Sequence, residues 1–255
     1  MDLVERQDAA ASRHPWEVSR GRFFTLLLDR LVPPTRPEQW LDVGSGDAWL
    51  AAEILRRRPP GSGITCWDVN YGEEDVRGDQ PAGLTLTAEE PTGEFAGILM
   101  LDVVEHVRDD VGFVSSVVGS HLAEGGWVLV SVPAYQSLFT AHDAALRHYR
   151  RYAPGQCRRV LGRAGLRVVA EGGLFHTLLP VRAVQAGVER LRGPAKEPPP
   201  GIGGWDKGAG ITRVVTGCLD LETRASLYLG TRSRAVVPGL SYWAFCRRAG
   251  DEGAT

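Results

Sequence analysis

The chain has 255 residues, 43% of them hydrophobic, and a formal net charge of -2. That length and apolar share allow one sizeable core, and the near-neutral balance excludes the global basic field that gathers nucleic acid. Four cysteines, Cys66, Cys157, Cys218 and Cys246, are scattered without a Cys-x-x-Cys pair. This argues against zinc and redox motifs and predicts four small buried hydrophobes in a reducing compartment. The charged start has no apolar signal region, and no apolar run reaches bilayer length, so the expected location is cytoplasmic, without a transmembrane segment.

Residues 1–13 are polar and expected to be loose; 16–32 carry Phe23, Phe24, Leu27, Leu28 and Leu31 at helical spacing, ended by the proline-rich run 33–37. Strand and helix signals then alternate. Residues 39–43 read as a first strand, 48–58 as a helix, 63–69 and 84–87 as the second and third strands, and 97–102 as a nearly all-apolar fourth. Asp109 or Asp110 caps a helix with Phe113, Val114, Val117, Val118 and Leu122 on its inner face. Gly125 and Gly126 are expected to turn the chain into strand five, 127–132.

After the long loop 133–153, Pro154 opens a helix to about Gly165, followed by strand six (166–171) and, much later, strand seven (241–247). The rhythm predicts an α/β, doubly wound, Rossmann-like parallel sheet of seven strands with right-handed crossovers. Between strands six and seven two helical stretches interrupt it. Val181, Val184, Val188 and Leu191 mark one; Ile211, Val214, Val215, Cys218, Leu221, Ala225 and Tyr228 mark the other; the linker 193–201 separates them. The expected division is an N-terminal helical segment (1–37), a sheet domain (38–173 with 237–250) and an inserted helical cap (174–236) on the end of the sheet.

Three strand ends carry the chemistry. Leu41-Asp42-Val43-Gly44-Ser45-Gly46 delivers a carboxylate and a glycine turn into a helix, where backbone can approach a ligand closely. A dinucleotide fingerprint needs a third glycine at position 49, which is Trp49. Asp68, ending strand two, suits the two hydroxyls of a ribose, or else serves as a plain turn aspartate. Leu101-Asp102-Val103-Val104-Glu105-His106-Val107 ends strand four, so Asp102, Glu105 and His106 face the same crevice, with a sheet-capping role for His106 as the alternative.

In the loop after strand five, His142 with Asp143, or His148, can serve as general base. Arg147, Arg150 and Arg151 can clamp a phosphate or carboxylate, although Arg150, Arg151 and Tyr152 read more simply as pins for the loop. No second histidine sits at a strong ligand spacing in sequence, so no metal is expected.

In this order the pieces resemble the class I S-adenosylmethionine (SAM)-dependent methyltransferases, specifically the small-molecule group that includes quinone-biosynthesis enzymes. Leu122-Ala123-Glu124-Gly125-Gly126 is similar to that family's L-x-x-G-G turn. His148-Tyr149-Arg150-Arg151-Tyr152, followed by a helix and Ala164-Gly165-Leu166, is similar to its H-x-R-x-Y segment; the likeness spans roughly 38–170.

The resemblance implies that the last strand is antiparallel, that the cofactor is SAM, and that a small-molecule acceptor is methylated on O, N or C, secondary metabolism being one setting. It assigns the turn at Asp42, Gly44, Ser45 and Gly46 to the methionine part and Asp68 and Val69 to the ribose. Glu89 or Glu90 stands in for the adenine contact, and Asp102 and Val103 go to the methyl-transfer site. The sequence departs from the family pattern at Ala48, where glycine is common, at Gly97, where aspartate is usual, and at 87–90, which lacks the usual aspartate near adenine.

The apolar stripes of the inserted helices suggest an acceptor with an aromatic or aliphatic part, and the loop arginines an anionic group. Competing readings are a SAM-binding protein without methyl transfer and an NAD(P)-dependent oxidoreductase. A nucleic-acid methyltransferase is disfavoured by the charge balance and by the lack of an N/D-P-P-Y/F motif.

Overall fold

The computed structural model describes residues 13–193, 207–230 and 236–251. The polar start and most of the linker 193–201 lie outside the described residues. Seven strands form one sheet: β1 (Gln39–Val43), β2 (Gly63–Trp67), β3 (Leu84–Thr87), β4 (Phe95–Leu101), β5 (Leu122–Pro133), β6 (Leu166–Leu174) and β7 (Ser241–Arg248). Their order is β3-β2-β1-β4-β5-β7-β6. β7 runs antiparallel to both neighbours, and the other described pairs are parallel.

The period-2 alternation of the strands builds two cores, because successive side chains leave opposite faces. Leu41, Val43, Ile98, Met100, Val128, Val130, Val132, Tyr242 and Ala244 point to one face. There they meet α4 (Asp110–His121) and α6 (Pro154–Arg163). Trp40, Leu99, Leu101, Trp127, Leu129, Trp243 and Phe245 point to the other, against α1 (Pro15–Leu31) and α2 (Trp49–Leu55). Helix α1 begins with His14 as cap, its Nδ1 accepting from Trp16 N at 3.1 Å, and Pro15 in the first turn. It buries Phe23, Phe24, Leu27 and Leu28 completely or nearly so, each contributing roughly 1.5–3 kcal/mol.

Two departures from the family pattern have physical consequences here. A Cβ on Gly97 would lie 2.1 Å from Trp127 Cζ2. The Trp127 indole fills that space and packs edge-on against Trp40, with ring centroids 4.8 Å apart. Ala48 sits at φ 55°, in the left-handed region that glycine occupies without strain.

Several boundaries differ from the sequence reading. Strand β5 starts at Leu122, so Gly125 and Gly126 lie inside it, beside a register shift against β4, rather than ahead of it. The stretch 48–58 is helical only as far as Leu55. Two short helices were not anticipated, α3 (Glu73–Arg77) and α5 (Ala141–Ala145).

Between β6 and β7 lie α7 (Leu178–Arg192) and α8 (Gly208–Gly230). Helix α8 packs along α1, and Asp220 binds Ser19 and Arg22. Among its described side chains, Leu219, Thr223 and Ser226 are buried. Most of the two apolar stripes points outward: Val181, Val184, Val188, Leu191, Ile211, Val214, Leu221 and Tyr228 are exposed, while Val215 packs against the core. Cys218 is likewise exposed, against the expectation of four buried cysteines. Helical spacing gives a stripe but not the side on which the partner lies. No helix among the described residues is long and apolar enough to cross a membrane.

Candidate functional site

The C-terminal ends of β1, β2 and β4 open onto a crevice of about 590 Å³, walled by α1 on one side and the 133–153 loop on the other. Such a volume is usual for a small-molecule site. The sequence motifs fall at one end of it. Gly44 adopts φ 63°, and a Cβ there would lie 2.6 Å from Val103 Cγ2. The close approach of the β1 turn to the β4 turn therefore depends on that glycine. Asp68 Oδ2 accepts from Gly46 N at 3.0 Å, while its Oδ1 accepts from both the backbone and side-chain nitrogens of Asn70. A carboxylate so bonded still has lone pairs for ligand hydroxyls. Ser45 Oγ pairs with the Tyr71 hydroxyl at 2.9 Å. Val69 is 75% exposed and forms part of the rim.

Asp42 is buried, and burial pushes its carboxyl up to about 7 against the pull of Arg20. Glu89 is exposed beyond β3 and does not line the crevice; its amide donates to Thr87 Oγ1.

The middle of the crevice is held under strain. Asp102 adopts φ 61° at the end of β4, a conformation aspartate tolerates better than most residues. Its Oδ1 accepts from Ser131 Oγ at 3.0 Å, and its Oδ2 lies 2.7 Å from Arg20 Nη2. Arg20 is the residue that sequence reasoning missed. It is buried on α1, its guanidinium between the Trp16 and Phe24 rings at 5.4 and 5.1 Å. A cation inside an apolar helical stripe was the available signal. Trp16, Glu17 and Trp49 also line the crevice.

At the far end lies the loop chemistry. Asp143 is fully buried and accepts from Thr140 N, His148 Nδ1 (3.1 Å), Arg151 Nε (2.7 Å) and Arg182 Nη2 (2.9 Å). Burial alone would raise its carboxyl, but His148, Arg151 and the Thr140 amide hold it well below the usual range. It is thus the centre of a locked network joining the loop to α7, rather than an exposed partner of His142. Arg150 binds Asp110, and the buried Tyr152 hydroxyl donates to the same carboxylate at 2.9 Å. Arg150 and Arg151 are thereby engaged within the protein, leaving Arg147 as the loop arginine that lines the crevice. His142 lines it too, and burial, with Arg182 nearby, lowers its pKa below the ordinary histidine value.

His106 and His148, far apart in sequence, meet with ring centroids 4.6 Å apart and rings nearly perpendicular. Glu105 beside them is completely buried, and neither carboxylate oxygen has a hydrogen-bond partner.

A family profile described as a methyltransferase domain matches residues 16–171, more than half of the chain. No curated protein sequence matches. Among solved structures, similarity is found to the 4+2 cyclase SpnF (14% identity, 95% of this chain and 84% of that one, TM-score 0.56). A SAM-dependent methyltransferase from Archaeoglobus fulgidus is similar at 15% identity, over 91% of this chain and 97% of that one, with TM-score 0.51. CalO1, a methyltransferase of calicheamicin biosynthesis in an SAH-bound form, shares 18% identity over 62% of this chain, with TM-score 0.47. The chain covers about half of CalO1's length (51%).

Proposed function

We propose, for a chain that belongs to the methyltransferase-domain family, that it is a SAM-dependent methyltransferase whose acceptor is a small molecule with an apolar body and a polar or anionic end. The observation that carries this reading is a continuous crevice that joins the β1 turn to the loop histidines. Its walls confine it to a compact ligand, and Trp16, Leu50 and Leu146 offer apolar contact while Arg147 offers a charge.

The chain's own groups fit SAM. Asp42 is a buried carboxyl facing a crevice, an arrangement that a ligand cation stabilises in its charged form. Asp68 stands where paired hydroxyls can bond it, and Gly44 and Gly46 present backbone without side chains. SAM supplies a methyl group on a positively charged sulfur and leaves as the neutral thioether S-adenosylhomocysteine. The protein's share of the work is alignment, exclusion of water and removal of a proton. Trp16 and Trp49 shield the crevice on the α1 side. His142, whose burial favours the neutral imidazole, accepts the proton that the acceptor loses on bonding to the methyl carbon.

Calorimetric titration of the purified protein with SAM, S-adenosylhomocysteine and NADH tests the cofactor end. Binding of the first two, weakened at least tenfold by Asp68→Ala, is expected; binding of NADH alone would overturn the reading. At the acceptor end, His142→Ala is expected to lower turnover by about 10²–10⁴-fold with SAM affinity unchanged. Unaltered turnover would remove His142 from the mechanism.

A further inference from the structure

The methyl-transfer chemistry above leaves one cluster unused. Glu105 and His106 sit on the short 3-10 turn Val104–His106 after β4, and His148 comes from the loop beyond β5. One ligand atom from each lies within 4.8 Å of the others. Ligands bound at ~2.1 Å to a common ion lie no more than ~4.2 Å apart, so a sub-ångström closure brings the three onto one cation.

Three further facts point the same way. Glu105 is fully buried with both oxygens unpartnered, a costly state for a carboxyl that nothing binds. His148 gives its Nδ1 to Asp143, which turns its Nε2 away from that carboxylate. A carboxylate behind the imidazole is how metal-binding histidines are oriented. Asp143 is itself immobilised by Arg151, Arg182 and Thr140, so the outer support is rigid. Finally, all three groups line the crevice, on the side of His142 and Arg147.

We propose that Glu105, His106 and His148 form a divalent transition-metal site, oriented by Asp143 and open to the crevice, that takes the acceptor through oxygen. Two imidazoles and one carboxylate suit manganese, iron, cobalt or zinc better than magnesium or calcium. Three protein ligands leave positions for a hydroxyl, or two adjacent oxygens, of the acceptor. A metal bound there acidifies that hydroxyl. The acceptor part of the inference rests on the methyl-transfer reading; the metal site does not.

The test titrates the chelator-treated full chain, without SAM, with Mn²⁺ followed by the loss of the free-ion EPR signal, and with Co²⁺ followed by its visible absorption. One equivalent is expected to bind, with affinity reduced at least tenfold in Glu105→Gln and in His148→Ala. Asp143→Asn is expected to weaken binding by about 10–100-fold. SAM affinity reports whether each variant is folded. No saturable binding to the wild-type chain, or binding unchanged in both ligand variants, overturns the site. Metal binding without SAM binding would leave the site standing and remove the methyl-transfer reading; SAM binding without metal binding would do the reverse.

Discussion

One buried aspartate lines the glycine-turn end of the crevice and another lies behind its loop wall, and the two are treated in opposite ways. Asp42, at the glycine-turn end, is pushed up to about 7 by burial. Asp143, at the loop end, is fully buried yet held charged by His148, Arg151 and Thr140. The first has no such partners among the described residues, and under the proposed function a ligand cation supplies the missing charge. The second is finished within the protein and serves to fix the loop. Burial alone therefore does not mark a functional carboxylate; what surrounds it decides whether it awaits a partner.

The comparison can be broken most severely at the glycine turn. Gly44→Ala combines a left-handed φ with a contact against Val103 Cγ2. It is expected to abolish measurable SAM binding and to cost about 2–4 kcal/mol in denaturant unfolding. Retained affinity would show that the β1 turn is not the cofactor cradle. Next, Asp143→Ala leaves the buried Arg151 without its carboxylate, with Arg182 and His148 also released. A loss of about 3–5 kcal/mol is expected by urea titration; a loss below 1 kcal/mol would contradict the locked-network description.

Asp42→Asn sharpens the contrast through pH. The folded-state pKa is raised, so the unfolded chain loses its proton first. The wild type therefore gives up stability as pH climbs from ~4 to about 7. The cofactor-free variant is expected to be more stable than wild type at pH 8, by on the order of 4 kcal/mol, with the difference vanishing near pH ~4. Its SAM affinity is expected to fall. Parallel stability curves across that range would refute the pH linkage. The smallest effect is expected at Ala48→Gly, which relieves the φ of 55° and is offset by added freedom in the unfolded chain. Thermal unfolding should show a gain of about 0.5 kcal/mol, and a loss would mean that the position is unstrained.

The glycine-turn end of the crevice was readable from the sequence as a place, because it is assembled from strand ends. Each of Asp42, Gly44, Asp68 and Asp102 lies where a short apolar run stops, and a parallel sheet carries those stops to one edge. The loop end was only partly readable. His142 and His148 stood out as residue types, but the sequence could not show that Asp143 faces Arg151 and Arg182. Nor could it show that Arg20 reaches Asp102 from a helix far along the chain.

By itself, the sequence determined the alternation of strands and helices, the glycine turn and the sheet's two apolar faces, because these follow from periodicities of 2 and 3.6 and from local backbone freedom. Tertiary structure decided which face of α8 is buried, that most of the stripes of α7 and α8 looks outward, and that Glu105, His106 and His148 share one place. Those outcomes depend on contacts between segments far apart in the chain, and spacing along a single segment carries no record of what lies opposite it.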